Sequence, residues 1–237
     1  MKSIVFDTST IISIATNNLL WVLKLLKNKF GGEFFITSSV KNELIDRPLK
    51  SKKYKLEAIM ISDILQKKII KYFKNVELEN KVDNMLSLTN NIFKARGSYI
   101  KIVDRAEVES LSLALLLKSS AYVVDERTMR LLVENPNKLA GILGNKLHTN
   151  ITIDKANLRK FQKEAKMDIL RSVDLMVIAY ELGLLDKYIE KNKVLAGNLR
   201  ENLLEGLLWG LRLRGCSIST QEIKEVMKIK GFKSKSL

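Results

Sequence analysis

The chain holds one cysteine, Cys216, and one histidine, His148, in 237 residues. A lone cysteine excludes an internal disulfide, and the two residues together cannot build a Cys/His zinc cage. Cys216 reads as a packed small residue and His148 as a surface one, which fits a reducing compartment. Long apolar runs are missing too: no uninterrupted stretch approaches the roughly 20 residues that span a bilayer. The first residues also lack a charged segment followed by a long apolar run and a small-residue cleavage site. The expectation is a soluble, cytoplasmic protein with no membrane contact. Acid is the scarcer charge, with Lys+Arg 41 against Asp+Glu 26 and a formal net charge of +15. Such a surplus attracts polyanions, nucleic acid among them, although solubility alone also accounts for it. With 46% hydrophobic residues the chain can bury a sizeable core, as one large domain or a domain with an extension.

The stretch Ile4-Val5-Phe6-Asp7-Thr8-Ser9-Thr10-Ile11-Ile12 organises the rest. A short apolar strand ends in a carboxylate and a cluster of hydroxyls, and a bare buried carboxylate is costly unless something positive meets it. Asp7 therefore belongs at the strand's carboxyl end, facing a crevice. The plainer reading is that it caps the following helix. That helix runs from Ile11 to Lys29 and stops at Gly31-Gly32. Glu33-Phe34-Phe35-Ile36 is a second strand, Thr37-Ser38-Ser39 a capping cluster, and Pro48 ends the helix that follows. This second strand–cap–helix unit again carries an acid, Glu43, in its first turns; a Glu on a solvated helix face explains it equally well.

From Leu49 to Arg96 the composition shifts toward Lys and amides, with a helical run over Ile59 to Leu65, a third strand over Ile69 to Phe73, and a helix over Glu79 to Arg96. The stretch Ile102-Val103-Asp104-Arg105-Ala106-Glu107 then opens a helix that is nearly all apolar, so that helix is buried. Asp104 and Glu107 fit a capping box. The strand Ala121-Tyr122-Val123-Val124 ends in Asp125-Glu126-Arg127. Parallel strands joined by helical crossovers bring their carboxyl ends to one sheet edge, where Asp7, Glu43, Glu107 and Asp125 would converge. Two carboxylates about 4 Å apart repel by roughly 4 kcal/mol at an effective dielectric of about 20, so such a cluster needs cations or a shared proton. An all-oxygen ligand set points to Mg2+ or Mn2+.

These residues resemble the PIN-domain nucleases. The match consists of Phe6-Asp7-Thr8-Ser9 ending the first strand, the helix start Ser38 to Leu44, the acid-opened apolar helix Glu107 to Ala114, and the strand end Asp125-Glu126-Arg127. The resemblance implies an α/β fold with a central parallel sheet and flanking helices over residues 1–155, carrying a basic helical insertion at about 49–96. An all-helical C-terminal extension over 156–237 would follow, packed on the core or on a partner. It implies metal-dependent endoribonuclease activity, with Mg2+ or Mn2+ as cofactor and Asp7, Glu43, Glu107 and Asp125 as metal ligands and catalytic acids. Ser9 would support Asp7, Asp104 or Glu126 would be an outer acid, and Lys41, Arg105 and Arg127 would contact the RNA backbone. Two departures stand out. Glu107 occupies a place where Asp is usual, which leaves open whether Asp104 or Glu107 is the third acid. Val124 replaces a hydroxyl residue before the fourth.

Beyond Pro136 the sequence reads as a helix over Lys138 to Gly144, a last strand near Ile151 to Ile153, and helices over Asn157 to Gly183, Asn198 to Gly215 and Glu222 to Lys230, the last capped by Ser219. Lys233 and Lys235 fall on a tail. A helix–turn–helix reader using Glu222 to Lys230 is disfavoured, because Glu222 and Glu225 would face phosphates. The apolar faces of these helices would pack on the core, on a second copy as a homodimer, or on a protein partner such as an antitoxin. Two other functions compete: a nucleic-acid-binding or assembly module whose acids are only caps, and a haloacid-dehalogenase-like phosphatase. The last wants a second Asp where Ser9 stands.

Overall fold

Ser3-Ile4-Val5-Phe6 is buried at every position, as a strand covered on both faces and flanked by neighbours must be. The computed structural model describes residues 2–73, 75–190 and 197–232. In chain order the elements are β1 (Ser3–Phe6), α1 (Thr8–Thr16), α2 (Leu20–Phe30), β2 (Glu33–Thr37) and α3 (Ser38–Lys41). A π-helical turn, Asn42–Asp46, leads into α4 (Arg47–Leu49), α5 (Lys55–Gln66), β3 (Lys71–Phe73), α6 (Val76–Thr89), β4 (Phe93–Ala95) and β5 (Ser98–Tyr99). Then come α7 (Arg105–Leu116), β6 (Ala121–Val123), α8 (Arg127–Glu134), α9 (Pro136–Leu147), β7 (Ile151–Ile153) and α10 (Lys155–Glu164). The chain closes with β8 (Ile169–Leu170), α11 (Ser172–Glu181), α12 (Leu199–Leu213) and α13 (Thr220–Ile229).

The fold is α/β: a five-stranded parallel sheet in the order β3-β2-β1-β6-β8, flanked by helices and followed by C-terminal helices. A small antiparallel sheet, β5-β4-β7, stands apart from it. Strand side chains alternate between faces, so the sheet divides the core in two. Ile4, Phe6 and Val123 join α1, α2, α5 and the C-terminal helices α11 to α13 in one cluster. Val5, Tyr122 and Val124 join α6 to α10 in the other. The apolar face of α12 (Leu204, Leu207, Leu208, Leu211) lies in the first cluster, together with Phe6. Each fully buried leucine of this kind contributes roughly 1.5–3 kcal/mol.

Four stretches differ from the sequence reading. The single helix read over Ile11 to Lys29 is broken between Thr16 and Leu20 into α1 and α2, which bend by 119°. Residues 49–96 are not simply a helical insertion: they supply the edge strand β3 and, in β4, the centre of the small sheet. The helix expected over Glu79 to Arg96 ends at Thr89, where Asn90 turns the chain into β4. The C-terminal part is not all helical, because Ile169–Leu170 forms β8 and pairs in parallel with β6. A strand of two residues leaves no periodicity to read. The tail carrying Lys233 and Lys235 lies outside the described residues. Among the described residues no single helix is long and apolar enough to cross a membrane.

Candidate active site

The two central strands end level with each other, and side-chain alternation decides what each end presents. Phe6 pairs with Val123, and the Asp7 N–H donates to the Val123 carbonyl at 2.9 Å. Phe6 and Val123 face the C-terminal helices, whereas Val5, Tyr122 and Val124 face α7. Asp7 and Glu126 keep extended backbones, with φ −86°, ψ 161° and φ −68°, ψ 130°. Counting by twos therefore puts Asp7 and Glu126 on the α7 face and Asp125 on the opposite one.

Asp7 is 4% exposed and caps α1, its Oδ2 accepting from Ser9 N at 3.1 Å and Ser9 Oγ at 2.7 Å. Burial pushes its carboxyl up to about 6; the bonds from Ser9 and Thr8 pull the other way, and the charge of Glu43 adds to the rise. Glu43 lies on the π-helical turn, where Thr8 Oγ1 donates to its Oε2 at 2.6 Å and Arg47 stands 4.0 Å from its Oε1. Glu107 opens α7 and accepts the Asp104 N–H at 2.7 Å. Burial pushes it up to about 7 against that bond, and the charges of Glu126, Asp7 and Asp104 add to the rise. Glu126 accepts the Met129 N–H at 2.7 Å as the cap of α8. Asp7, Glu43, Glu107 and Glu126 thus influence one another along one edge. Among the described residues Arg47 is the one cation ion-paired to any of them.

Asp104 and Asp125 are held elsewhere. Asp104 is exposed and paired with Lys101, so of the two acids at the start of α7 it is Glu107 that faces Asp7. Asp125 is 0% exposed; Ser172 donates to it twice, from N at 2.7 Å and from Oγ at 2.6 Å. Its own N–H donates to Ser9 Oγ at 3.1 Å. Ser9 therefore links the two strand ends, while the Asp125 carboxylate anchors the start of α11 on the other face of the sheet. Cys216, whose thiol is pushed up to about 12 by burial and then by the Asp125 charge, packs beside this anchor.

Two of the three basic residues expected at the nucleic acid are engaged by acids. Lys41 pairs with Asp46 at 3.0 Å, and Arg105 pairs with Glu79 at 2.9 Å and with Asp83. Arg127, the first residue of α8, is exposed next to Glu126. The sequence reading missed Thr8, which holds Glu43, and Tyr122, whose fully buried hydroxyl has no hydrogen-bond partner. Tyr122 shares its strand face with Asp7, and counting by twos from Asp7's neighbour would have found it.

The donors along this edge are carboxylate oxygens, the type that Mg2+ and Mn2+ take. Burial first, and then the charges of neighbouring acids, push Asp7 and Glu107 up, an effect that a divalent cation would oppose. The side chains do not stand in a finished cage: among the described residues no group of three or more acids lies close enough to hold one ion. Comparison with known proteins gives no match to any family model, curated protein or solved structure.

Proposed function

We propose that this chain is a PIN-like, divalent-metal-dependent endoribonuclease working at the edge formed by Asp7, Glu43, Glu107 and Glu126. The observation that carries this reading is that Asp7 and Glu107 lie close enough on one sheet edge to feel each other's charge, and that burial first, with neighbouring acids adding to it, pushes their carboxyls up to about 6 and about 7. Perturbed acids gathered beside the carboxyl edge of a parallel sheet are candidates for a functional site. Glu126 takes the place first given to Asp125.

Mg2+ or Mn2+ held by Asp7, Glu43, Glu107 and Glu126 would supply Lewis acidity toward a phosphodiester and would make a bound water more acidic. The chain's own residues do the rest. Ser9 fixes Asp7, the Thr8 hydroxyl fixes Glu43, and the backbone N–H of Asp104 fixes Glu107. Arg127, exposed beside Glu126, holds the RNA backbone, a contact that supplies affinity with little sequence information. The surplus of basic residues over the whole chain acts in the same direction.

A second reading, a binding module whose acids serve only as caps, draws on the cap bonds of Glu107 and Glu126 and on the absence of a finished cage among the described residues. Incubation of labelled RNA and DNA with Mg2+, Mn2+ or chelator separates the two. Cleavage of RNA that needs metal and disappears in Asp7→Asn supports the nuclease. RNA binding that survives chelation, with no cleavage under any condition, supports the module.

A further inference from the structure

Tyr122 is fully buried in the middle of the sheet, and its hydroxyl has no hydrogen-bond partner among the described residues. Leaving such a donor unmatched costs roughly 1–3 kcal/mol. Its surroundings explain where a partner would come from. Tyr122 pairs with Val5, so Asp7 lies two residues further along the neighbouring strand on the same face. Two residues of parallel strand advance by about 6.6 Å, a span that a tyrosine side chain leaning along its strand covers. Val108 and Leu111 of α7 lie in the same core cluster, closing the ring off from solvent. Burial first, then the charges of Asp7, Glu107 and Glu126, hold the phenol well above its usual range, so it stays a neutral O–H group at any working pH.

We propose that Tyr122 is a positioning residue for the metal edge: with a divalent cation held at Asp7, the Tyr122 hydroxyl, buried on the same strand face and without a partner of its own among the described residues, donates to that carboxylate and fixes the orientation of its oxygens toward the cation. The proposal rests on the nuclease reading above, since it needs a cation at Asp7. An ionised carboxylate offers only acceptors and binds a donor about twice as strongly as a neutral group does. Partners that orient a metal ligand typically contribute 10–100-fold to metal affinity.

The test uses full-length protein carrying ring-labelled tyrosine (13C at Cζ), with the Tyr122 resonance assigned by its loss in Tyr122→Phe. Mg2+ titrations are followed by NMR and by calorimetry, and melting is recorded in chelator. The expected result has three parts. Mg2+ shifts the Tyr122 resonance in the parent protein but not in Asp7→Asn. Tyr122→Phe binds Mg2+ about ten-fold more weakly. Its melting temperature in chelator equals or exceeds that of the parent, which a purely structural role for the hydroxyl would not allow. If the parent binds Mg2+ while the Tyr122 resonance stays still and Tyr122→Phe binds equally well, the positioning role is overturned and the nuclease reading stands. If the parent binds no Mg2+ at all, the nuclease reading fails and takes this role with it.

Discussion

Asp7 and Asp125 sit one and two residues past the ends of adjacent parallel strands, and both are buried. Their environments differ in the supply of donors and in the face they occupy. Asp125 receives both an N–H and an O–H from Ser172, on the side of the C-terminal helices. Asp7 receives its bonds from its own helix start and shares its side of the sheet with other acids, so that burial wins and its carboxyl rises. A buried carboxylate can therefore be a finished structural anchor or a group that gains from a cation. What separates the two residues is the donors each receives and the face it occupies, not burial itself, which they share.

The sharpest way to break this comparison is to neutralise each aspartate in turn. Asp7→Asn is expected to lower metal-dependent RNA hydrolysis by at least about 100-fold, the upper end of what losing only a neighbour of a metal ligand costs. Asp125→Asn should leave hydrolysis by the folded protein within a few-fold of the parent. Gel-resolved cleavage of labelled RNA under single-turnover conditions reads both.

Stability should invert that ranking. Asp125→Ala strands the N–H and O–H of Ser172 in a fully buried place. It is expected to cost about 3 kcal/mol in urea unfolding, as two hydrogen bonds to a charged group are lost together.

The pH dependence sharpens the contrast further. A carboxyl whose folded pKa lies above its unfolded value binds its proton more tightly when folded, so stability is fully present at low pH and is lost as pH rises. For Asp7 the window runs from 3.8 up to about 6, and for Glu107 from 4.5 up to about 7. In chelator the melting temperature should therefore decline from pH 4 to about pH 7. Asp7→Asn should flatten the acidic part of that decline and add about 1–3 kcal/mol near neutrality, the value of a rise of this size being roughly 3 kcal/mol at most. Ser9→Ala, which removes the hydroxyl linking the two strand ends, is expected to cost only about 1 kcal/mol, a typical value for a lost capping hydroxyl, measured by the same unfolding curves.

Much of the parallel sheet was legible because its strands are short apolar runs closed by hydroxyls and acids, as at Phe6-Asp7-Thr8-Ser9 and Thr37-Ser38-Ser39. Asp7 and Glu43 stand out in the chain for the same reason, each following such a strand, whereas Glu107 stands out as the acid that opens a nearly all-apolar helix. Asp125 was assigned to their edge because it follows a strand end and matches the fourth acid of the PIN-like pattern. Counting by twos from Val123 sends it to the other face and brings Glu126 round in its place. The roles given to Lys41 and Arg105 failed to foresee their acidic partners for a different reason. Asp46 meets Lys41 because the helix passes through a π turn, which brings residues five apart together, and the Asp83 and Glu79 that hold Arg105 belong to a separate helix, α6. Neither relation leaves a local trace in the chain.

The central claim is that the acids on the α7 face form the cation site and that Asp125 does not belong to it. Thermal melting of the parent, Asp7→Asn and Asp125→Asn with and without Mn2+ at pH 7.5 tests it most directly. At a Mn2+ concentration about 100 times the dissociation constant, binding adds about 2.7 kcal/mol to the folded state. The account predicts a clear upward shift in the parent, the same shift in Asp125→Asn from its lower starting point, and none in Asp7→Asn. A shift that survives in Asp7→Asn and vanishes in Asp125→Asn would contradict it.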